Sequence, residues 1–202
     1  MKRRILSIDF DYFIDTDINT RNDKFPDGVD EKPREVLDKE WEYFYNTYPE
    51  IKYIGVISSY DIMCHSLSKL TKGQVLISES HRDISQIFDR LSINDDLEVI
   101  NYDFHHDNYI SGGSEIDCAN WVRHLMNIRP NTKFEWRHRI DSEITSLMGD
   151  FPYDKSLNEE IFTDIGGEFD YIFICFSPEW TPPHLRPQYK DLCRSVEHLE
   201  HI

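Results

Sequence analysis

Five apolar runs of strand length frame this 202-residue chain: RILSI at 4–8, YIGVIS at 53–58, QVLIS at 74–78, LEVINY at 97–102 and YIFICF at 171–176, with a weaker sixth near 133–136. Each is too short for a membrane span and long enough for a buried strand. Between them lie segments of helical periodicity: 33–48 opening at Pro33, 60–71 ending before Gly73, 82–91, 115–128, and 185–200 after Pro182-Pro183. Alternating strands and helices predict an α/β chain, a three-layer α/β/α fold whose mostly parallel sheet is covered on both faces. Length and 39% hydrophobic content predict one domain over 1–202, with 149–168 as a loop carrying one short helix.

In such sheets ligands sit beyond the carboxyl ends of the strands, so polar residues directly after an apolar run are where chemistry is sought. They occur four times: Asp9 and Asp11 after the first run, His81 after QVLIS, Asp103 to Asp107 after LEVINY, and Ser177 to Trp180 after YIFICF. The strongest is Asp103-Phe104-His105-His106-Asp107, whose alternating Asp, His and Asp can aim three ligands into one cavity. Mixed oxygen and imidazole donors suit manganese, iron or zinc better than calcium. Its alternative is a polar turn with Asp107 capping the next helix.

Asp9 and Asp11 leave a hydrophobic strand two residues apart, and like charges so close repel unless a cation or proton intervenes. An apolar strand ending in D-x-D also opens phosphatases with an aspartyl nucleophile, so the pair alone is ambiguous. His81, within Ser78-Glu79-Ser80-His81-Arg82-Asp83, reads equally as a ligand or as a surface histidine beside a capping Ser80.

The formal charge of −16, from 22 basic and 38 acidic residues, argues against nucleic acid and favours cationic ligands; it also describes a merely well-solvated surface. Cys64, Cys118, Cys175 and Cys193 are widely spaced, without a CxxC pair, which predicts a reducing cytoplasm. The start, MKRRILSIDFDYF, is too little for a signal peptide or membrane span. A homo-oligomer is compatible with this composition.

Together the clusters resemble the ureohydrolase (arginase-like) superfamily, in which a His after one strand, a D-x-H-x-D after the next and a D-x-D after a third bind two manganese ions. Here the D-x-D comes first, as though the chain were circularly permuted. IDFDYF, SHRD, DFHHDNY, Ala119-Asn120-Trp121 and Ser177-Pro178-Glu179-Trp180 look most like the peptide arginases, which convert arginine to ornithine in ribosomally made precursor peptides and release urea.

The resemblance implies a compact arginase-like fold and two Mn(2+), one held by His81, Asp103, Asp107 and Asp9, the other by His105, Asp103, Asp9 and Asp11. It implies an arginine-containing precursor peptide as partner, hydrolysed by water activated between the ions. Asp107 would belong to the catalytic centre, and His106 or His124 would pass a proton to the departing amine. Glu179 would hold the guanidinium, with Asn120 orienting substrate and Trp121 and Trp180 walling the pocket. The blander readings are a surface ion pair for Glu179, a helix start for Asn120 and core packing for the tryptophans.

Three rivals stay open at the level of sequence. They are a D-x-D phosphatase with Asp9 as nucleophile, a single-zinc deacetylase of the same fold, and a module that only binds basic peptides. Within the arginase-like reading, free arginine or agmatine remains an alternative substrate.

Overall fold

Side chains alternate across a strand, so a strand buried on both faces feeds two separate cores. The computed structural model describes residues 1–26, 32–109, 115–142, 165 and 167–202, and these show that division clearly. Six strands, β1 (Lys2–Asp9), β2 (Gln74–Ser78), β3 (Asp96–Tyr102), β4 (Lys133–Arg137), β5 (Tyr171–Cys175) and β6 (Glu200–His201), form one sheet. All pairs are parallel and the order is β4-β3-β1-β5-β2-β6. Six helices accompany them among the described residues: α1 (Ile18–Lys24), α2 (Arg34–Thr47), α3 (Ser59–Ser68), α4 (Ser85–Phe88), α5 (Trp121–Ile128) and α6 (Arg186–Arg194).

One core gathers Leu6, Ile8, Ile100, Tyr102, Ile172 and Ile174 from the strands against Trp41 of α2, Met63 and Leu67 of α3 and Leu192 of α6. The other gathers Ile5, Val99, Phe173 and Cys175 against Ile87 and Phe88 of α4 and Trp121 and Leu125 of α5. The chain is therefore an α/β fold of three layers, with the sheet in the middle. The same parity puts Ser7 and Asp9 of β1, and Asn101 of β3 with Asp103 just beyond it, on the α4/α5 side. Polar residues interrupt the second core only toward the carboxyl ends of the strands.

The expected strand at 53–58 is not in the sheet. Pro49–Tyr53 forms a 3-10 turn with proline in its first turn, and Val56 makes only an isolated antiparallel bridge to Ile14. Residues 54–57 are half-buried, and Gly55 O and Ile57 N bond to Asp15 N and Phe13 O. This apolar run braces the chain just after β1; the proline turn before it and the glycine within it weaken a regular strand.

Helical segments are shorter than their periodicity predicts. The 82–91 stretch is a 3-10 turn (His81–Ile84) followed by α4, the 115–128 stretch becomes helical only at Trp121, and 185–200 ends its helix at Arg194 before turning into β6. The polar α1 was not marked by any apolar stripe; Asp17 starts it by accepting a hydrogen bond from Thr20 N at 2.9 Å. The loop and short helix expected over 149–168 lie outside the described residues, apart from 165, 167 and 168. No helix among the described residues is long and apolar enough to cross a membrane.

Ile172 of β5 is fully buried in the first core. Ile172→Ala should lower unfolding free energy by ~2–5 kcal/mol, seen as a lower urea midpoint with an unchanged slope. A shift well below 1 kcal/mol would contradict this packing.

Candidate metal centre

β1, the turn after β2 and the segment after β3 deliver six side chains to one place at the carboxyl rim. Asp9, Asp11, His81, Asp103 and Asp107 are buried, and His105 nearly so. His81 follows β2, two strands from β1, and reaches the centre by lying over β5: its ring stacks on Phe173 with centroids 5.4 Å apart. Trp121 covers its other side at 4.9 Å.

His81 Nδ1 stands 3.3 Å from Asp9 Oδ2, 3.2 Å from Asp103 Oδ2 and 3.1 Å from Asp107 Oδ2. A ring nitrogen carries at most one hydrogen and cannot satisfy three carboxylates. His105 Nδ1 lies 2.9 Å from Asp11 Oδ2. Two groups of ligand atoms result, Asp9/His81/Asp103 and Asp11/Asp103/His105, each with its atoms within 4.8 Å of one another and sharing Asp103. Carboxylates about 4–5 Å apart at an effective dielectric near 20 repel by roughly 3–4 kcal/mol per pair. The donor set of aspartates and imidazoles therefore fits two divalent cations of the manganese, iron or zinc type.

A second ring of contacts fixes the donors. The Ser7 hydroxyl meets His81 Nε2 at 2.9 Å, which turns Nδ1 toward the carboxylates. Ser177 Oγ donates to Asp9 Oδ2 at 2.5 Å, Asn101 Nδ2 to Asp103 Oδ2 at 3.1 Å, and Trp121 Nε1 to Asp107 Oδ2 at 2.6 Å. Backbone amides add more: Asp11 N to Asp9 Oδ1, His105 N to Asp103 Oδ1 and Phe104 N to Asp11 Oδ1. Asp107 and Ser177 are the non-glycine residues with positive φ among those described, 49° and 47°, and both hold a ligand or its partner. Uncommon backbone at two rim positions marks a place where geometry is imposed at some energetic cost.

Ser7, Asn101 and Arg21 were not singled out by the sequence analysis. Ser7 and Asn101 carried a readable signal, since each is a polar residue inside an apolar strand two positions before a ligand. Arg21 of α1 carried none. Its guanidinium is buried, Nη1 lies 3.5 Å from Asp11 Oδ2, and Nη2 donates to Asp11 O at 2.8 Å.

The remaining candidates are arranged unevenly. Trp180 sits against His105 with ring centroids 4.6 Å apart, and Glu179 beside it in sequence is 1% exposed. Asn120 orders the 115–120 turn, accepting from Asp117 N and donating to Glu115 O. The His106 ring stacks on Tyr109 at 4.0 Å, and its Nδ1 accepts a hydrogen bond from Asn108 N. Burial and the neighbouring His105 push its pKa down to about 4, so this ring is neutral near pH 7. His124 is half-buried on α5, with no ion pair or ring contact to the six ligands among the described residues.

Burial and Asp11 push the Asp9 pKa up to about 6, and burial and Asp107 push Asp103 up to about 8. Burial opposes protonation of His105, but Asp11 outweighs it and holds this pKa at about 9. His81 is likewise raised, against the opposing effect of burial, by Asp103, Asp107 and Asp9. Burial works to raise Asp11, and His105 and Arg21 more than offset it, leaving its pKa lowered.

The metal-free fold thus holds protons that the unfolded chain releases. For Asp9 and Asp103 that stability is fully present below the ordinary carboxylate range and is lost as pH rises through about 6 and about 8. For His105 it is lost as pH rises through about 9. The contribution of Asp11 has the opposite sign and fades only in acid. The metal-free melting temperature should fall from about pH 5 to pH 9, and added Mn(2+), which displaces these protons, should raise it most at the alkaline end. A flat metal-free profile with no manganese increment, followed by scanning calorimetry, would contradict the geometry.

Compared with family models, curated proteins and solved structures, the chain gives no significant match in any of the three.

Proposed function

We propose that this chain is a binuclear, manganese-dependent hydrolase that converts arginine side chains of a ribosomally made precursor peptide to ornithine and urea. The observation that carries the proposal is the convergence of Asp9, Asp11, His81, Asp103, His105 and Asp107 into two ligand groups sharing Asp103. His81 and Asp107 would hold one ion, His105 and Asp11 the other, with Asp9 and Asp103 between them. When bound, such a pair supplies a water activated near neutral pH and Lewis acidity toward the substrate.

The chain's own residues supply recognition. Glu179 is a buried carboxylate beside Trp180, suited to the planar fork of a guanidinium. Trp180, packed on His105, shields that side of the centre from water. The net charge of −16 favours a cationic substrate. His106, neutral near pH 7, is a poor proton donor to the leaving amine, and its packing on Tyr109 suits a role in shaping the 106–109 turn.

An aspartyl-nucleophile phosphatase fits less well, because both Asp9 oxygens already accept hydrogen bonds, from Asp11 N and Ser177 Oγ. A single-zinc site leaves Asp11 and Asp107 without a task. The wide spacing of Cys64, Cys118, Cys175 and Cys193, without a CxxC pair, favours the reducing cytoplasm as the working compartment.

Manganese-loaded protein incubated with an arginine-containing peptide should release urea and leave a product about 42 Da lighter per event, by water attack on the guanidinium carbon. Asp103→Ala should abolish turnover while peptide binding persists. Free arginine hydrolysed as fast as any peptide would refute the peptide substrate. An unchanged rate in Asp103→Ala would refute the catalytic reading.

A further inference from the structure

The two ligand groups differ in what stands behind them. Asp9, Asp103 and Asp107 are oriented by the neutral donors Ser177, Asn101 and Trp121, which fix the carboxylates without cancelling their charge. Asp11 faces a cation. Arg21 is fully buried, its guanidinium lies 3.7 Å from the Phe104 ring centroid, and Nη2 is committed to the carbonyls of Asp11 and Ile14.

That leaves Nη1 3.5 Å from Asp11 Oδ2, with neither Nη1 nor Nε hydrogen-bonded to any described residue. The neighbouring buried guanidinium of Arg139 contrasts with it. Arg139 is matched by Asp141 through two hydrogen bonds of 2.8 Å, so its charge is locally cancelled. Among the described residues, the carboxylate within ion-pair range of Arg21 is Asp11, which is also a ligand.

We infer that the metal centre loads in order, the Asp9/His81/Asp103 group taking its ion first and tightly, the Asp11/Asp103/His105 group second and more weakly, because Arg21 already occupies the charge of Asp11. The inference rests on the binuclear reading proposed above. A fixed positive charge beside Asp11 draws on the negative potential that holds the second ion and repels that ion directly. Its commitment to the Asp11 and Ile14 carbonyls keeps it from swinging away. Arg21 is thus a positioning residue of the second site: it fixes the segment that bears Asp11 and sets how strongly that site competes for metal.

The test is a titration of the metal-free full chain with Mn(2+) alone, read by calorimetry and by electron paramagnetic resonance, which separates isolated from spin-coupled manganese. Two binding steps are expected, the second weaker by at least about tenfold. Asp11→Asn should remove the weaker step and leave the tighter one within about threefold. Arg21→Gln should narrow the gap by about fivefold or more, whereas Arg21→Lys, which keeps the charge, should preserve it.

Two steps of equal affinity would overturn the order while leaving the binuclear reading intact. So would loss of the tighter step in Asp11→Asn, or an equal weakening of the second step in both Arg21 variants, which would mark Arg21 as a clamp without electrostatic effect. Absence of any manganese binding would overturn the binuclear reading and the inference together. Should Arg21→Gln fail to show a cooperative melt, the wild-type and Asp11→Asn titrations decide the order.

Discussion

Four aspartates, none more than 5% exposed, are gathered at one rim of a parallel sheet, and their mutual repulsion is the constraint around which the rest is built. Without compensation several such pairs would cost more than the roughly 5–15 kcal/mol by which a domain is stable. The fold answers in three ways. Protons are retained on Asp9 below about pH 6 and on Asp103 below about pH 8, the His81 and His105 pKa values are raised toward their charged forms, and Arg21 is buried beside Asp11. Divalent cations would replace the protons and leave the imidazoles neutral, as ligands must be.

The sheet makes this gathering feasible. Parallel strands bring their carboxyl ends to one edge, and the order β4-β3-β1-β5-β2-β6 sets β1 beside β3, so the two aspartate-bearing segments emerge as neighbours. β5 intervenes between β1 and β2, and its Phe173 becomes the shelf on which His81 crosses the gap. Orientation is then delegated to Ser7, Asn101, Trp121 and Ser177, drawn from four different elements or their ends. A centre braced from so many directions has little freedom to relax when emptied, which fits the left-handed backbone at Asp107 and Ser177.

Much of this was legible in the residue order. Apolar runs announced β1, β2, β3 and β5, the weaker run near 133–136 announced β4, and polar residues at the ends of these strands announced the six side chains that meet at the rim. Local pattern failed where its signal was ambiguous or absent. YIGVIS has strand composition, yet a proline turn precedes it and its half-buried residues pack on the chain after β1 instead of entering the sheet. The polar α1 and its buried Arg21 owe their place to tertiary burial of a charge, which no periodicity records. His106 reads as chemistry because it sits between His105 and Asp107, but its ring packs against Tyr109 and Trp136.

The most direct test of the proposed binuclear centre is anomalous diffraction at the manganese edge from crystals grown with Mn(2+). Two peaks roughly 3.5–4 Å apart, both within bonding distance of Asp103, one next to His81 and the other next to His105, are the predicted result. A single peak, or manganese bound elsewhere on the acidic surface with the six side chains still paired among themselves, would contradict it.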